Sequence, residues 1–210
     1  MYRLAQLSGV KIVACTGFHL RKYYPRFAWL WQLDSQKACD FFVKELKVGL
    51  AETLDQEGEI IKAGFIKVAF EDSLKKTPPE SLEGAIHASL ETSVAIEAHT
   101  EKGVNVEAIV DYFGTQGIPF DRLVICHIDK RPDFGLHRSI AQAGILLEYD
   151  TFYRPKYDLQ KNLWPLLSQM IEVGFGSSIC LATDMAESAL WARYGGNPGL
   201  NGYLNQIKPD

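Results

Sequence analysis

Several common signatures are missing from this sequence of 210 residues. Its four cysteines form no CxxC pair, and most lie in apolar runs where a thiol behaves as a small hydrophobic group. This usage argues against a disulfide scaffold and predicts a reducing, cytoplasmic environment. No apolar run reaches the roughly 18 residues that a membrane helix needs, so we expect no membrane association.

An excess of positive charge is also missing. The 26 acidic residues outnumber the 22 basic ones, which gives a formal net charge of -4. Proteins that bind nucleic acids normally present a basic face, so we expect no nucleic-acid partner. Neither of the glycine-rich phosphate motifs, GxGxxG or GxxxxGKS/T, follows a strand-like run. Their absence disfavours a nucleotide-binding open sheet.

Short apolar runs alternate with helical patterns along the chain. Six runs have the two-sided apolar character of strands that are covered on both faces, at 10–15, 64–70, 94–98, 123–126, 145–149 and 178–182. Helical patterns lie between them at 34–48, 80–91, 104–113, 134–143 and 159–173, and glycines at helix-terminating positions follow three of these, Gly117, Gly144 and Gly174. The alternation predicts an α/β fold of parallel β/α units, in a single domain over residues 1–210.

Four residues with metal-binding or nucleophilic side chains recur in or at the end of these runs. Lys67, His99, His127 and Asp184 are separated by 32, 28 and 57 residues. These gaps are about one or two of the roughly 31-residue units of a (β/α)8 barrel, which collects its active site from the carboxyl ends of its strands. The spacing therefore predicts one metal-centred site. Since 210 residues supply fewer than eight such units, a doubly wound open sheet of six strands is the alternative.

Each of the four residues also has other interpretations. Lys67 lies inside an apolar run, where an ammonium group needs a charged partner or loses its charge. It could extend to solvent, form a Schiff base, or react with carbon dioxide to give a carbamate. A single histidine is more often structural than a ligand, but His99 and His127 end successive runs, which suits zinc. Asp184 is either a helix cap or a metal ligand that takes a proton from bound water.

A resemblance to a known family rests on five segments, ACTGF at 14–18, KAGFIKVA at 62–69, EAHT at 97–100, ICHID at 125–129 and LATD at 181–184. The chain resembles the phosphotriesterase family of the amidohydrolase superfamily. The segments match strands three, four, five, six and eight of that family's (β/α)8 TIM barrel, in order. The resemblance implies an incomplete barrel of about six β/α units, strands three to eight, in a chain shortened at both ends.

The resemblance also implies a metal-dependent hydrolase. By it, Lys67 is a carboxylated lysine that bridges two divalent ions, usually zinc. His99 and His127 hold one ion, and Asp184 binds the other and acts as the base. The activated hydroxide then attacks a lactone, ester or phosphoester. The family's first strand carries an HxH pair for the second ion, and none of the five histidines here forms one. One of the two ions is therefore expected to be missing.

Basic and aromatic residues follow several of the strand ends. Arginine and lysine donors match phosphate oxygens, so we expect a small anionic substrate, with ordinary solvated surface as the alternative for each residue. Within the family, the pattern resembles the branch that acts on phosphorylated sugar lactones. The candidate substrate-binding residues are Arg154, Lys156, Arg193 and Tyr194.

Three functions stay open at this point. The leading hypothesis is a metal-dependent hydrolase of lactones or phosphoesters. A Schiff-base aldolase using Lys67 would be indifferent to chelators. A catalytically incompetent fragment or partner subunit would hold fewer than two metal ions. The two unpaired sheet edges of an incomplete barrel invite pairing, which makes a homodimer one expected assembly.

Overall fold

The computed structural model describes residues 5–7, 9–54, 58–71 and 73–207. The chain divides into two compact units, the first of Met1–His99 with Glu107–Leu123 and the second of Thr100–Val106 with Val124–Asp210. The strands are β1 Ala14–Gly17, β2 Ala63–Ala69, β3 Ile96–His99, β4 Leu123–Cys126, β5 Leu146–Tyr149 and β6 Ile179–Leu181. The α-helices are α1 Ser35–Lys47, α2 Ala51–Leu54, α3 Pro79–Thr92, α4 Val106–Thr115, α5 Phe134–Gln142 and α6 Leu163–Glu172.

The strands within each unit are parallel and neighbour one another in chain order. In the first unit β2 pairs with β1 and with β3, and its register sets Lys67 opposite Glu97. In the second unit β5 pairs with β4 and with β6, and Glu148 lies opposite Cys180. Parallel strands end at the same edge, so the residues that follow them are brought together within each unit.

Helix α1 illustrates how the first unit is built. It begins at Ser35 because the Asp34 carboxylate caps it, accepting a hydrogen bond from the Lys37 backbone N–H at 2.8 Å. Its buried face, which includes Phe42, packs against α3. Gly84 of α3 lies at this contact, where an added Cβ would come within 2.6 Å of the Ala38 Cβ. A larger residue at Gly84 would therefore push the two helices apart.

A second glycine brings the end of β1 close to Lys67. Gly17 has φ +108°, and a Cβ there would lie 2.0 Å from the Lys67 carbonyl oxygen. The next residue, Phe18, donates its backbone N–H to that same oxygen at 2.8 Å. Only glycine fits this conformation and this approach. Gly17 therefore fixes the path of the chain where β1 ends beside Lys67.

The core of the second unit lies under β4, β5 and the helices that follow them. Ile125, Leu147 and Tyr149 have no exposed surface. A separate cluster joins buried Phe152, Leu163 and Ile207, against which partly buried Tyr153, Leu159, Trp164, Leu181 and Tyr203 pack.

Two predicted boundaries are wrong at their amino-terminal ends. The run at 10–15 becomes a strand only from Ala14, where pairing with β2 starts, and Val10 and Val13 are 51% and 65% exposed. An apolar run forms a strand only where a neighbour covers it, and residues 10–13 lack that cover. The helix expected over 159–173 starts at Leu163, because Asp158 adopts φ +46° and opens a turn instead. The left-handed glycines at 117, 144 and 174 are confirmed.

None of the helices in the described ranges is long and apolar enough to cross a membrane.

A buried hydrogen bond ties β1 to α1 and yields a stability prediction. The Thr16 hydroxyl donates to Glu45 Oε2 at 2.6 Å, while Glu45 Oε1 accepts the Ala51 backbone N–H at 3.2 Å. We expect Thr16→Val to lower the free energy of unfolding by about 1–3 kcal/mol, because it leaves a buried carboxylate oxygen short of a donor. Urea unfolding measures this loss.

The control is Thr115→Val, whose hydroxyl donates to the Tyr112 carbonyl at an exposed position. It should change the stability by no more than about 0.5 kcal/mol. Equal losses in the two variants would contradict the role given to the Thr16 hydroxyl.

Candidate functional site

Three ligand-type side chains of the second unit meet where its strands end. His127 directly follows β4, Asp150 directly follows β5, and Asp184 comes shortly after β6. One donor atom from each lies within 4.8 Å of the other two. His127 and Asp184 both adopt left-handed backbone conformations, with φ of +63° and +42°. Such values are uncommon outside glycine and are enriched at constrained functional positions.

His127 and Asp150 form a buried pair. His127 Nδ1 lies 2.5 Å from Asp150 Oδ2, and the same oxygen accepts the His127 backbone N–H at 3.1 Å. His127 is 7% exposed and Asp150 is fully buried. A carboxylate at one ring nitrogen orients the ring and fixes its tautomer, as it does for many histidines that bind metals.

Asp184 is surrounded by cations. Arg154 Nη2 donates to the Asp184 backbone oxygen at 2.8 Å and to its Oδ2 at 3.1 Å, and Lys130 Nζ lies 3.5 Å from Oδ2. Lys130 Nζ is also 3.8 Å from Asp150 Oδ1, and Arg154 also pairs with Glu187. The helix-cap interpretation of Asp184 is wrong, since the next helical turn, Ser188–Leu190, has Glu187 at its N-cap and no side-chain cap bond.

A further buried carboxylate, that of Asp129, is hydrogen-bonded to the residues that follow β5. Asp129 Oδ2 accepts hydrogen bonds from the Asp150 and Thr151 backbone N–H groups, both at 2.9 Å, and from the Thr151 hydroxyl at 2.7 Å. Burial and the neighbouring Asp150 raise the pKa of Asp129 to about 6. The loop between β5 and α6 is therefore attached to the loop after β4 at this point.

Lys67 is placed in the first unit and has a charged partner. Its ammonium group pairs with Glu97, the residue opposite it on β3, and both side chains are largely buried. The expectation that a lysine in an apolar strand needs such a partner is met, and extension to bulk solvent is not its conformation. Lys67 also lines a cavity of about 480 Å³ together with Cys15, His19 and Trp29.

His99, the last residue of β3, lies in the first unit beside a second imidazole. The centroids of the His99 and His19 rings are 4.8 Å apart. His19 Nδ1 accepts the Leu20 backbone N–H at 2.7 Å. This bond leaves Nε2 of a neutral His19 as the protonated nitrogen.

The four predicted substrate-binding residues all lie in the second unit, in different surroundings. Arg154 contacts Asp184, as described above. Lys156 Nζ lies 5.1 Å from the centre of the Tyr157 ring. Arg193 lines a small cavity of about 250 Å³ with Trp191 and Pro198, and Tyr194 is 75% exposed. The structure thus brings Arg154 directly to the ligand cluster.

Sequence reasoning missed three members of these clusters, Asp150, Lys130 and Glu97. A usable signal exists for Asp150, because it directly follows an apolar run, as His99 and His127 do. Glu97 and Lys130 carry a weaker signal, since their roles depend on which residue lies opposite them across the sheet or loop.

The donor set of the second unit fits a divalent cation. An imidazole nitrogen with two carboxylates within 4.8 Å matches the ligand chemistry of zinc. Asp150 Oδ1 is buried and accepts no hydrogen bond within the described part of the chain. A buried carboxylate oxygen of this kind is satisfied by a cation, here by Lys130 or by a metal ion.

The chain is similar in sequence to known proteins. The model of the Phosphotriesterase family matches residues 1–209. The Phosphotriesterase homology protein of Escherichia coli (strain K12) is 21% identical over 191 residues, which cover 90% of this chain and 63% of that protein. The chain thus spans less than two thirds of the length of this curated relative.

Solved structures of similar fold agree with the family match. The lactonase Lmo2620 from Listeria monocytogenes has a TM-score of 0.85 at 23% identity, over 98% of this chain and 66% of that one. The phosphotriesterase homology protein from Escherichia coli, solved with phosphate in its active site, has a TM-score of 0.85 at 19% identity, over 99% and 69% of the two chains. An amidohydrolase from Mycoplasma synoviae has a TM-score of 0.84 at 22% identity, over 98% and 62%.

These structural matches confirm the predicted α/β fold of TIM-barrel type, with six parallel strands in the described residues, and exclude the doubly wound alternative. The match to the family model runs from the first residue to the last but one. The chain therefore belongs to the phosphotriesterase family.

Proposed function

We propose that this chain carries ligands and the base of a metal-dependent hydrolase that acts on lactones or phosphoesters. The observation that carries the proposal is the buried cluster of His127, Asp150 and Asp184 after three parallel strands. Active sites of barrel enzymes lie at this end of the strands, and the donor set suits zinc. Membership of a family whose relatives include a lactonase supports hydrolysis as the reaction class.

We assign the metal-binding residues in each unit separately. In the second unit, His127 through Nε2 and Asp184 through its carboxylate would hold the same ion, because the two side chains lie together, whereas the resemblance implies that they hold different ions. In the first unit, Lys67, carboxylated by carbon dioxide, and His99 are the proposed ligands. A bound divalent ion would polarise the scissile group and acidify a water molecule.

The chain's own residues have distinct tasks in this proposal. Asp150 holds the His127 ring through Nδ1, so that the ring needs no reorientation when a ligand arrives. Arg154 and Lys130 both contact Asp184 Oδ2. Asp184 Oδ1 is then the oxygen that we assign to the metal or to the proton of the attacking water.

The proposed substrate is a small anion, with a phosphorylated sugar lactone as the preferred class. The Escherichia coli relative was solved with phosphate in its active site, which supports an anion in this family. Lys156, Arg193 and Tyr194 are the proposed phosphate-binding residues. Arg154 keeps its place as a candidate, although Asp184 and Glu187 already engage its guanidinium group.

The Schiff-base alternative and the proposed carbamate both require the Lys67 amine, which pairs with Glu97, to act as a nucleophile. An amine that carbon dioxide has carboxylated no longer forms a Schiff base. Borohydride reduction in the presence of a carbonyl substrate should therefore trap no adduct on Lys67.

The test is zinc per chain, measured by elemental analysis on size-selected protein, with light scattering on the same sample for the expected homodimer. Without an HxH pair, we expect one tightly held ion rather than two. His127→Ala should lose that ion. His87→Ala, an exposed histidine on α3, should retain it.

Lactone hydrolysis is followed on the same samples with a pH indicator. One ion with hydrolysis supports the proposal. Two ions would mean that further ligands exist. No zinc and no hydrolysis would overturn the proposed function for this chain and favour the incompetent fragment or partner subunit.

A further inference from the structure

Asp129 stands out because the chemistry proposed above makes no use of it. It is 2% exposed, and it follows His127 by two residues in the turn Ile128–Lys130. Burying a carboxylate is costly unless hydrogen bonds compensate it. In this case three donors converge on one of its oxygens, Oδ2. Within the described residues its other oxygen, Oδ1, accepts none.

The three donors belong to the two residues that begin the loop after β5. Two are the backbone N–H groups of Asp150 and Thr151, and the third is the Thr151 hydroxyl. Asp129 therefore fixes the backbone of Asp150 from which the carboxylate contacting His127 extends. The chain of contacts runs from Asp129 to Asp150 and from Asp150 back to His127, so it closes a small loop of buried polar groups.

This closed set of buried polar groups costs folding free energy, and selection for stability alone would not favour it. Two buried carboxylates, Asp129 and Asp150, belong to this one set of contacts, and charges of like sign repel more strongly in a buried environment than in water. A well-packed apolar pair would hold the same two loops together without that repulsion. The arrangement does one thing that an apolar pair cannot, which is to hold a carboxylate at a fixed position against an imidazole.

We propose that Asp129 is a positioning residue that fixes the residues after β5 and thereby holds the Asp150 carboxylate against the His127 ring. This inference rests on the proposed function in so far as His127 is a metal ligand. Supporting groups around a metal ligand typically change metal affinity by about 10- to 100-fold when they are removed.

The test compares Asp129→Asn with Asp133→Asn. Asp133 lies four residues further along the same loop and caps α5 through the Leu136 backbone N–H at 3.1 Å. Both changes remove one negative charge and keep the side-chain shape, and each loosens one local hydrogen-bond network. Of the two, Asp129 is the one whose side chain is hydrogen-bonded to residues after β5.

The first readout uses the metal-free chain. Nitrogen NMR of the histidine side chains and amide hydrogen exchange should show a shifted His127 Nδ1 signal and faster exchange at residues 127, 150 and 151 in Asp129→Asn. Asp133→Asn should leave all four signals unchanged. Thr151→Val, which removes one of the three donors, should give an intermediate shift. An unchanged His127 signal in Asp129→Asn would overturn the inference.

The second readout is zinc affinity, measured by competition with a chelating dye. Asp129→Asn should weaken zinc binding by about 10- to 100-fold, and Asp133→Asn by less than twofold, even where the two variants lose equal stability. Equal weakening would reduce Asp129 to a purely structural role and overturn the inference. If the unaltered chain binds no zinc, the proposed function fails, while the NMR comparison still decides the role of Asp129.

Discussion

Replacing Asp184 by asparagine should lower kcat/KM for lactone hydrolysis by about 10²- to 10⁴-fold, the range that a positioned general base contributes. The substitution keeps the side-chain shape and removes the charge. Asparagine also tolerates the left-handed backbone at φ +42° better than most residues do, so the main-chain path should persist. The loss would therefore report on the carboxylate itself.

The cations around Asp184 should keep partners in this variant. Lys130 remains 3.8 Å from Asp150 Oδ1, and Arg154 remains paired with Glu187. Neither cation is left alone, so the free energy of unfolding should change by no more than about 1 kcal/mol. Urea unfolding and steady-state kinetics on one preparation separate a loss of activity from a loss of fold.

Asp158→Asn is the matched control for this experiment. Asp158 belongs to the same unit, and its backbone is also left-handed, at φ +46°. Its carboxylate accepts the Lys161 backbone N–H at 3.3 Å, and an asparagine oxygen can replace it in that bond. Activity should stay within about twofold of the unaltered chain. A comparable loss in both variants would contradict the role of Asp184 as base.

The residues at strand ends could be predicted from the sequence because their positions depend on local pattern alone. An apolar run followed by a polar residue marks the end of a strand, and parallel strands end on one edge. This reasoning located His127 and Asp184, which the structure brings together in the second unit. It located His99, the last residue of β3, on the same grounds, whereas Lys67 lies inside β2 and stands out as a lysine within an apolar run.

Contacts between strands could not be predicted in the same way. Glu97 lies 30 residues after Lys67, and the spacing says nothing about the register that sets the two opposite each other. Asp150 could not be predicted as a site residue for another reason, since aspartate after a strand is common in turns and has no further role there. The sequence predicts a substrate anion as the partner of Arg154, and its contact with the Asp184 carboxylate depends on loop paths that the local pattern does not encode.

Acid should destabilise this protein through a second buried histidine, His137 on α5. His137 Nε2 lies 2.9 Å from the Arg131 carbonyl, which can only accept, so Nε2 carries the proton. Nδ1 then accepts the Tyr149 hydroxyl at 2.6 Å. Both side chains are fully buried, and burial lowers the pKa of His137 to about 4.

The sign of the effect follows from proton uptake. In the unfolded chain His137 titrates near its ordinary pKa of about 6.5, so between roughly pH 6.5 and pH 4 the unfolded state binds more protons. Stability is therefore present above the unfolded pKa and is lost as the pH falls toward the folded one. From pH 7.5 to pH 5 this loss amounts to about 2 kcal/mol. Asp129, with its raised pKa, acts in the opposite direction over part of this range.

His137→Gln isolates the histidine from that opposing group, because Asp129 is common to both chains. A glutamine amide can accept from the Tyr149 hydroxyl and donate to the Arg131 carbonyl without titrating. Urea unfolding at pH 7.5 and pH 5 should show the stability of the unaltered chain falling by about 2 kcal/mol relative to His137→Gln. His87→Gln, at an exposed position, should run parallel to the unaltered chain at both pH values. Parallel profiles for His137→Gln as well would mean that His137 has the same pKa in the folded and the unfolded chain, which would contradict a pKa lowered by burial.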